Sequence, residues 1–151
     1  MSPRSRGRSD AASPAAGARS PEPLVLLVDD YADNREMYAL YLTHIGFRVA
    51  EAANGEEALA KAFETRPDVI VMDLSLPVMD GWEATRRLKR DQRTRGIPVI
   101  ALTSHALEGF SKGAREAGCD AFVTKPCLPE QLAAEIRKML STHPAPASRR
   151  P

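Results

Sequence analysis

Aromatic residues make up only 5% of this 151-residue chain, with a single tryptophan, and cysteine occurs twice. Cys119 and Cys127 stand in no C-x-x-C pair and at no other metal-ligand spacing. They read as two small hydrophobes in a reducing compartment. No apolar run approaches the ~18 residues of a membrane span. The basic N-terminus is followed by no hydrophobic segment, which excludes a secretory signal there. The expected location is the cytoplasm, with no membrane partner. An excess of one charge is also missing: 21 basic residues face 20 acidic ones, for a net charge of +1. Summed charge therefore makes no case for nucleic-acid binding by the domain itself.

The charge is nevertheless unevenly spread. The two ends hold Arg4, Arg6, Arg8, Arg19, Arg149 and Arg150 against Asp10 and Glu22, which leaves 15 basic and 18 acidic residues between them. Residues 1–23 are built from Ser, Pro, Arg, Ala and Gly, and residues 141–151 are similar. Such stretches bury too little apolar surface to offset their ordering entropy. They are expected to be disordered tails around one domain at 24–140, with any contact of the Arg-rich N-terminal tail left open.

Within that domain, short apolar runs alternate with helical patterns. Leu24–Val28 leads into Asp29-Asp30, Val69–Met72 into Asp73, Val99–Leu102 into Thr103, and Ala121–Val123 into Thr124-Lys125. Continuous runs suit strands covered on both faces. Phe47-Arg48-Val49 alternates, as an edge strand does. Between the strands, Asp33 and Glu36 have capping-box spacing before a helix expected to turn Met37, Leu40, Tyr41 and Ile45 inward, with Gly46 as its stop. Asn54 and Glu57 repeat the spacing ahead of Ala58, Leu59, Ala62 and Phe63. Further helices are expected from Trp82 to about Asp91, from Leu107 to Ala117, and from Pro129 with Leu132, Ile136, Met139 and Leu140 inward. Five strands strictly alternating with five helices predict an α/β fold: a flavodoxin-like, doubly wound (βα)5 three-layer sandwich with parallel strand order 2-1-3-4-5.

In such sheets ligands bind beyond the carboxyl ends of the strands, at the switch in strand order. That crevice would receive Asp29 and Asp30 from the first strand and Asp73 from the third, with Thr103 and Lys125 nearby. Singly, each has an ordinary structural role; jointly, on one rim, they do not. Three adjacent carboxylates repel one another and resist ionising. A hard divalent cation relieves this, and Mg²⁺ is commonly held by one or two carboxylates with a phosphate. A lysine and a threonine hydroxyl can meet phosphoryl oxygens. The set suits phosphoryl transfer to a carboxylate nucleophile.

Val28-Asp29-Asp30, Met72-Asp73-Leu74-Ser75-Leu76-Pro77-Val78-Met79-Asp80-Gly81, Ala101-Leu102-Thr103-Ser104 and Thr124-Lys125-Pro126 resemble the motifs of bacterial response-regulator receiver domains. The resemblance covers about residues 24–140. It implies a two-component phosphorelay protein that takes a phosphoryl group onto Asp73 from a histidine kinase or histidine phosphotransfer protein. It further implies Mg²⁺ held by Asp30, Asp73 and the backbone carbonyl of Ser75, with Asp29 acting through water. Lys125 would pair with the phosphoryl group, Thr103 would be the hydroxyl that moves toward it, and Phe122 the aromatic switch. Ser75, Ser104 and His105 occupy positions that tune phosphoryl lifetime. The Lys125–Pro126 bond would be cis. The chain looks most similar to single-domain regulators of the chemotaxis or cell-polarity kind, monomeric or weakly dimeric. It would be no enzyme beyond promoting its own phosphorylation and dephosphorylation.

The output surface for a downstream protein is expected where the fourth helix, fifth strand and fifth helix meet. The fourth helical segment carries Gly109 and Gly113, each costing about 1 kcal/mol against Ala, and is cheap to displace. Leu128 lacks a side-chain acceptor, so the last helix is expected to fray at its start. Other readings fit less well. An aspartate-nucleophile phosphatase has a second Asp two residues after the first, where this chain has Ser75. An FMN carrier needs a phosphate-cradling loop where Asp29-Asp30-Tyr31 stands. The complete acidic set argues against a receiver that signals without phosphorylation.

Overall fold

The computed structural model describes residues 22–74, 81–103 and 117–142. Both expected tails, the segment 107–116, and Ser75, Ser104 and His105 lie outside the described residues. In chain order the elements are β1 (Leu24–Val28), α1 (Ala32–His44), β2 (Arg48–Ala52), α2 (Gly55–Thr65), β3 (Val69–Asp73), α3 (Gly81–Arg90), β4 (Val99–Thr103), β5 (Ala121–Thr124) and α4 (Pro129–Thr142). The strands form one parallel sheet in the order β2-β1-β3-β4-β5, as the alternation of elements requires.

Successive side chains of a strand point to opposite faces, and both faces here are covered. Val25, Leu27, Val69, Val71, Ile100 and Leu102 pack under Tyr38, Leu42, Leu132 and Ile136 of α1 and α4. Leu26, Val28, Ile70, Met72 and Val99 pack under Ala58, Ala62, Ala84 and Leu88 of α2 and α3. This is why β1, β3 and β4 read as unbroken apolar runs. Each large side chain so covered contributes about 1.5–3 kcal/mol. The edge strand β2 is half exposed, matching its alternating sequence.

Three local expectations need correction. In α1 the buried residues are Tyr38, Ala39 and Leu42. Tyr41 and Ile45 pack at the margin, while Met37 is 43% and Leu40 74% exposed. The helix is fixed by Tyr38, whose hydroxyl donates to the Cys127 carbonyl at 2.6 Å, a bond that apolar periodicity does not reveal. Nor does Asp33 cap α1. The N-cap is Tyr31, which makes no side-chain cap bond; its N–H donates to Asp29 Oδ1 at 2.9 Å. The start of α4 is also better held than Leu128 suggests. Gln131 reaches back so that its Oε1 accepts from the Leu128 N–H at 2.9 Å, and Pro129 has no N–H to satisfy.

The Asn54 cap forms as expected, and Glu57 reaches back one residue beyond the cap. Asn54 Oδ1 accepts from Glu57 N–H at 2.9 Å, and Glu57 Oε1 accepts from Ala53 N–H at 2.7 Å. Helix α4 continues through Ser141 and Thr142, whose hydroxyls donate to the Lys138 carbonyl, both at 3.1 Å. This satisfies a last-turn acceptor.

Candidate functional site

At the carboxyl rim of the sheet, β1 ends in Asp29-Asp30 and β3 in Asp73. Strand neighbours Val28 and Met72 are in register, so the acidic residues that follow are brought side by side. One carboxylate oxygen from each of Asp29, Asp30 and Asp73 lies within 4.8 Å of the others. Asp29 is fully buried, Asp73 is 1% exposed, and Asp30 faces solvent. Lys125, just beyond β5, places its Nζ 3.0 Å from Asp73 Oδ2. Its backbone N–H donates to the Thr103 carbonyl at 2.7 Å, which ties the Lys125 loop to the end of β4. The Lys125–Pro126 bond is cis.

Burial raises the pKa of Asp29, and the neighbouring charges of Asp73 and Asp30 add to the rise. The Tyr31 N–H and the Lys125 ammonium act in the opposite sense. The second oxygen of Asp29, Oδ2, is buried and accepts no hydrogen bond among the described residues. A buried carboxylate oxygen with no donor is costly by itself. An oxygen-seeking divalent cation would satisfy it and would offset the repulsion within the cluster. The donor set therefore fits such an ion.

The structure brings Asp29, Asp30, Asp73, Thr103 and Lys125 together. Thr103 is buried. Phe122 lies on the edge strand β5, in register with Ala101 and 37% exposed.

Two contributors have roles that only the structure shows, Arg35 outside every motif and Gly81 at the end of the Asp73 motif. Arg35, one turn into α1, donates from Nη1 to the Asp29 carbonyl at 2.7 Å and from Nε to Glu51 Oε1 at 3.0 Å. It thereby braces the Asp29-Asp30 turn against β2. Gly81 opens α3 so close to the end of β3 that a Cβ there would collide with the backbone of Asp73 and Leu74. Only glycine allows this approach.

Residues 25–137 match the family model of the response regulator receiver domain. The chain belongs to the response regulator receiver domain family. It is 37% identical over 116 residues to the polar-differentiation response regulator DivK of Brucella anthropi, covering 77% of this chain and 94% of DivK. It is 40% identical over 116 residues to the phosphate regulon transcriptional regulatory protein PhoB of Pseudomonas aeruginosa, covering 77% of this chain and 51% of PhoB. It thus spans about half the length of that relative.

Among solved structures, chemotaxis protein CheY4 of Vibrio cholerae superposes with a TM-score of 0.76 at 33% identity, covering 79% of this chain and 99% of CheY4. The receiver domain of the sensor histidine kinase PA1611 of Pseudomonas aeruginosa has a magnesium ion coordinated in its active-site cleft. It gives a TM-score of 0.74 at 33% identity, covering 80% of this chain and 98% of that domain. The receiver fold is therefore shared, with its flavodoxin-like strand order. Among the described residues, no helix is long and apolar enough to cross a membrane.

Proposed function

We propose that residues 24–140 act as the phosphoacceptor of a two-component phosphorelay in the cytoplasm, with Asp73 as the nucleophile. The observation that carries this reading is the 3.0 Å contact of Lys125 with a buried Asp73 beside two further carboxylates. A structural ion pair has no need of that crowding, whereas a phosphoryl site uses every part of it. A Asp73 carboxylate oxygen attacks the phosphorus of a phosphohistidine in line. The P–O bond forms as the P–N bond breaks, the imidazole leaves neutral with the proton already on its other ring nitrogen, and an acyl phosphate remains on Asp73. Lys125 shifts from the carboxylate to a phosphoryl oxygen. The rim, closed by Thr103 and braced by Arg35, keeps the nucleophile oriented.

Mg²⁺ would be held by Asp30, Asp73 and the carbonyl of Ser75, with Asp29 through water. When bound it neutralises charge gathering on the phosphoryl oxygens. The buried, unsatisfied Asp29 Oδ2 and the magnesium-bound PA1611 receiver domain support this assignment.

The donor would dock over α1. Exposed Tyr31, Met37 and Leu40 lie there, next to a cleft of about 480 Å³ lined by Asn34, Met37, Tyr38, Lys125, Pro126 and Cys127. Output would follow as Thr103 moves toward the phosphoryl group and Phe122 turns. This would alter the face formed by segment 107–117, β5 and α4 and so engage a downstream protein. Ser75, Ser104 and His105 would set the lifetime of the acyl phosphate.

The test is incubation with acetyl phosphate and Mg²⁺. One acid-stable, base-labile phosphoryl group should appear, mapped by peptide mass spectrometry to the Asp73 peptide. A Mg²⁺ titration through Trp82 fluorescence should saturate, and should weaken in Asp30→Ala. Modification at any other residue would refute the assignment.

A further inference from the structure

The rim opposite the carboxylates is arginine-rich. Strands of a parallel sheet start at one edge and helices return to it, so β1, β3, β4 and β5 begin where α2 and α3 end. At that edge stand Arg66, the C-cap of α2, Arg87 and Arg90 at the end of α3, and Arg93 and Arg95 in the turn leading to β4. All five are exposed. Helices α2 and α3 pack together, and the Arg93 guanidinium lies over the Phe63 ring of α2, 4.4 Å from its centroid. Arg66 is close enough to Asp91 to lower its pKa further, after the larger effect of Arg93. The five arginines thus stand at one edge of the sheet.

The acids of this face are largely engaged. Asp91 pairs with Arg93 at 2.8 Å and Asp120 with Lys89 at 2.9 Å, while Arg87 is itself paired, at 2.9 Å, with Glu83 of the first turn of α3. Glu64 on the last turn of α2 and Glu22 just before β1 are exposed acids at this edge, and Asp68 just before β3 accepts from the Leu24 N–H at 2.8 Å. Among the described residues, Arg66, Arg90 and Arg95 make no ion pair. Favourable interaction with the helix dipole accounts for a cation in the last turn of α3. It does not account for Arg93 and Arg95, which lie past the helix end. The near-neutral charge sum of the chain conceals this placement.

We propose that this rim binds nucleic acid through its phosphate backbone, without reading base sequence. The chemistry favours phosphodiester over the other polyanions. All the unpaired cations are guanidiniums, whose planar donor fork matches phosphate oxygens. Among the described residues, the ends of α2 and α3 carry no exposed large apolar side chain to enter a lipid surface, since Phe63 is half-buried beneath Arg93. The chain also enters β1 at this edge and α4 ends at it. The rim is remote from Asp73, so binding does not obstruct phosphoryl transfer.

The experiment uses the full chain, a fluorescently labelled mixed-sequence DNA duplex, and anisotropy titrations between about 50 and 200 mM salt. Saturable binding is expected, with log K falling linearly against log salt at about −0.9 per phosphate contacted. Arg90→Glu with Arg95→Glu should weaken binding at least tenfold and flatten the slope, while Asp73 labels with acetyl phosphate at the wild-type rate. Arg90→Gln with Arg95→Gln is the second variant, read in the same way if the charge reversal does not fold. A scrambled duplex should bind equally. Absence of binding at the lowest salt would overturn the proposal. So would equal binding by the variants, which would place the affinity in the terminal segments. Capture by anionic phosphatidylglycerol vesicles without DNA binding would overturn it in favour of a lipid surface.

Discussion

Lys125 Nζ lies 3.0 Å from Asp73 Oδ2, across 52 residues of sequence. The contact joins the ends of β3 and β5, which are not neighbours in the sheet; β4 lies between them. It is the positive counterweight to a cluster of three carboxylates, two of them buried. Removing one partner of such a pair leaves the other buried and uncompensated.

Lys125→Ala should therefore destabilise the metal-free protein by about 1–3 kcal/mol. Added Mg²⁺ should recover much of that loss, because a cation at the cluster replaces the missing charge. Urea unfolding with and without Mg²⁺ measures both effects. A variant as stable as the parent without metal would show that the pair does not balance the cluster.

Asp29 gives a pH signature of definite sign. Its pKa is raised in the folded state, by burial first, so the native protein holds that proton more tightly than the unfolded chain. This contribution favours folding at low pH and is lost as the pH rises from the ordinary carboxylate range through the raised value. Asp29→Asn removes the term. Without Mg²⁺ the variant should gain about 1 kcal/mol at pH 7 and less at pH 5, and its stability should no longer respond to Mg²⁺ as the parent's does. Urea midpoints at the two pH values decide it; a variant less stable at both would contradict the reading.

The rim positions at the ends of β1, β3 and β4 could be read directly from where apolar runs stop at Asp29, Asp73 and Thr103, and the sheet order from the alternation of strands and helices. Those runs are continuous because both faces of the sheet are covered, and that is a sequence-level signal. Lys125 also announced itself through its place after the last run. What sequence hid were contacts that depend on side chains crossing between elements. Tyr38 turns α1 by bonding the Cys127 carbonyl, so Leu40, which looks like core, faces solvent. Asp29 both lines the site and holds Tyr31 at the start of α1, a double use that moved the cap away from Asp33. Gln131 secures α4 in place of Leu128. The rim arginines are scattered in sequence between 66 and 95, and the packing of α2 on α3 gathers them.

Cys119 is a quieter test of packing. Burial pushes its thiol up to about 11, with the Thr85 hydroxyl acting weakly against the rise. The thiolate is the reactive form. A disulfide reagent at neutral pH should therefore modify folded Cys119 far more slowly than the unfolded chain, with the rate climbing as the pH approaches 11. Thiol labelling followed by peptide mapping reads this, and rapid neutral labelling at Cys119 would show that the α3–β4 side is open.

The α2 start offers a test of the capping box. Asn54→Ala removes the acceptor for the Glu57 N–H and should cost about 1 kcal/mol, with phosphoryl labelling unchanged because Asn54 is not among the rim carboxylates. Urea unfolding and acetyl phosphate labelling of the same sample separate the two effects; a lost label would tie α2 to the site.

The most direct measurement compares intact masses of the wild-type chain and Asp73→Asn after acetyl phosphate with Mg²⁺. The wild type should gain the mass of one phosphoryl group, and lose it in mild base. The variant should stay folded, because one of three mutually repelling charges is gone, and should gain nothing. Equal labelling of the folded variant would contradict the assignment of Asp73 as the nucleophile.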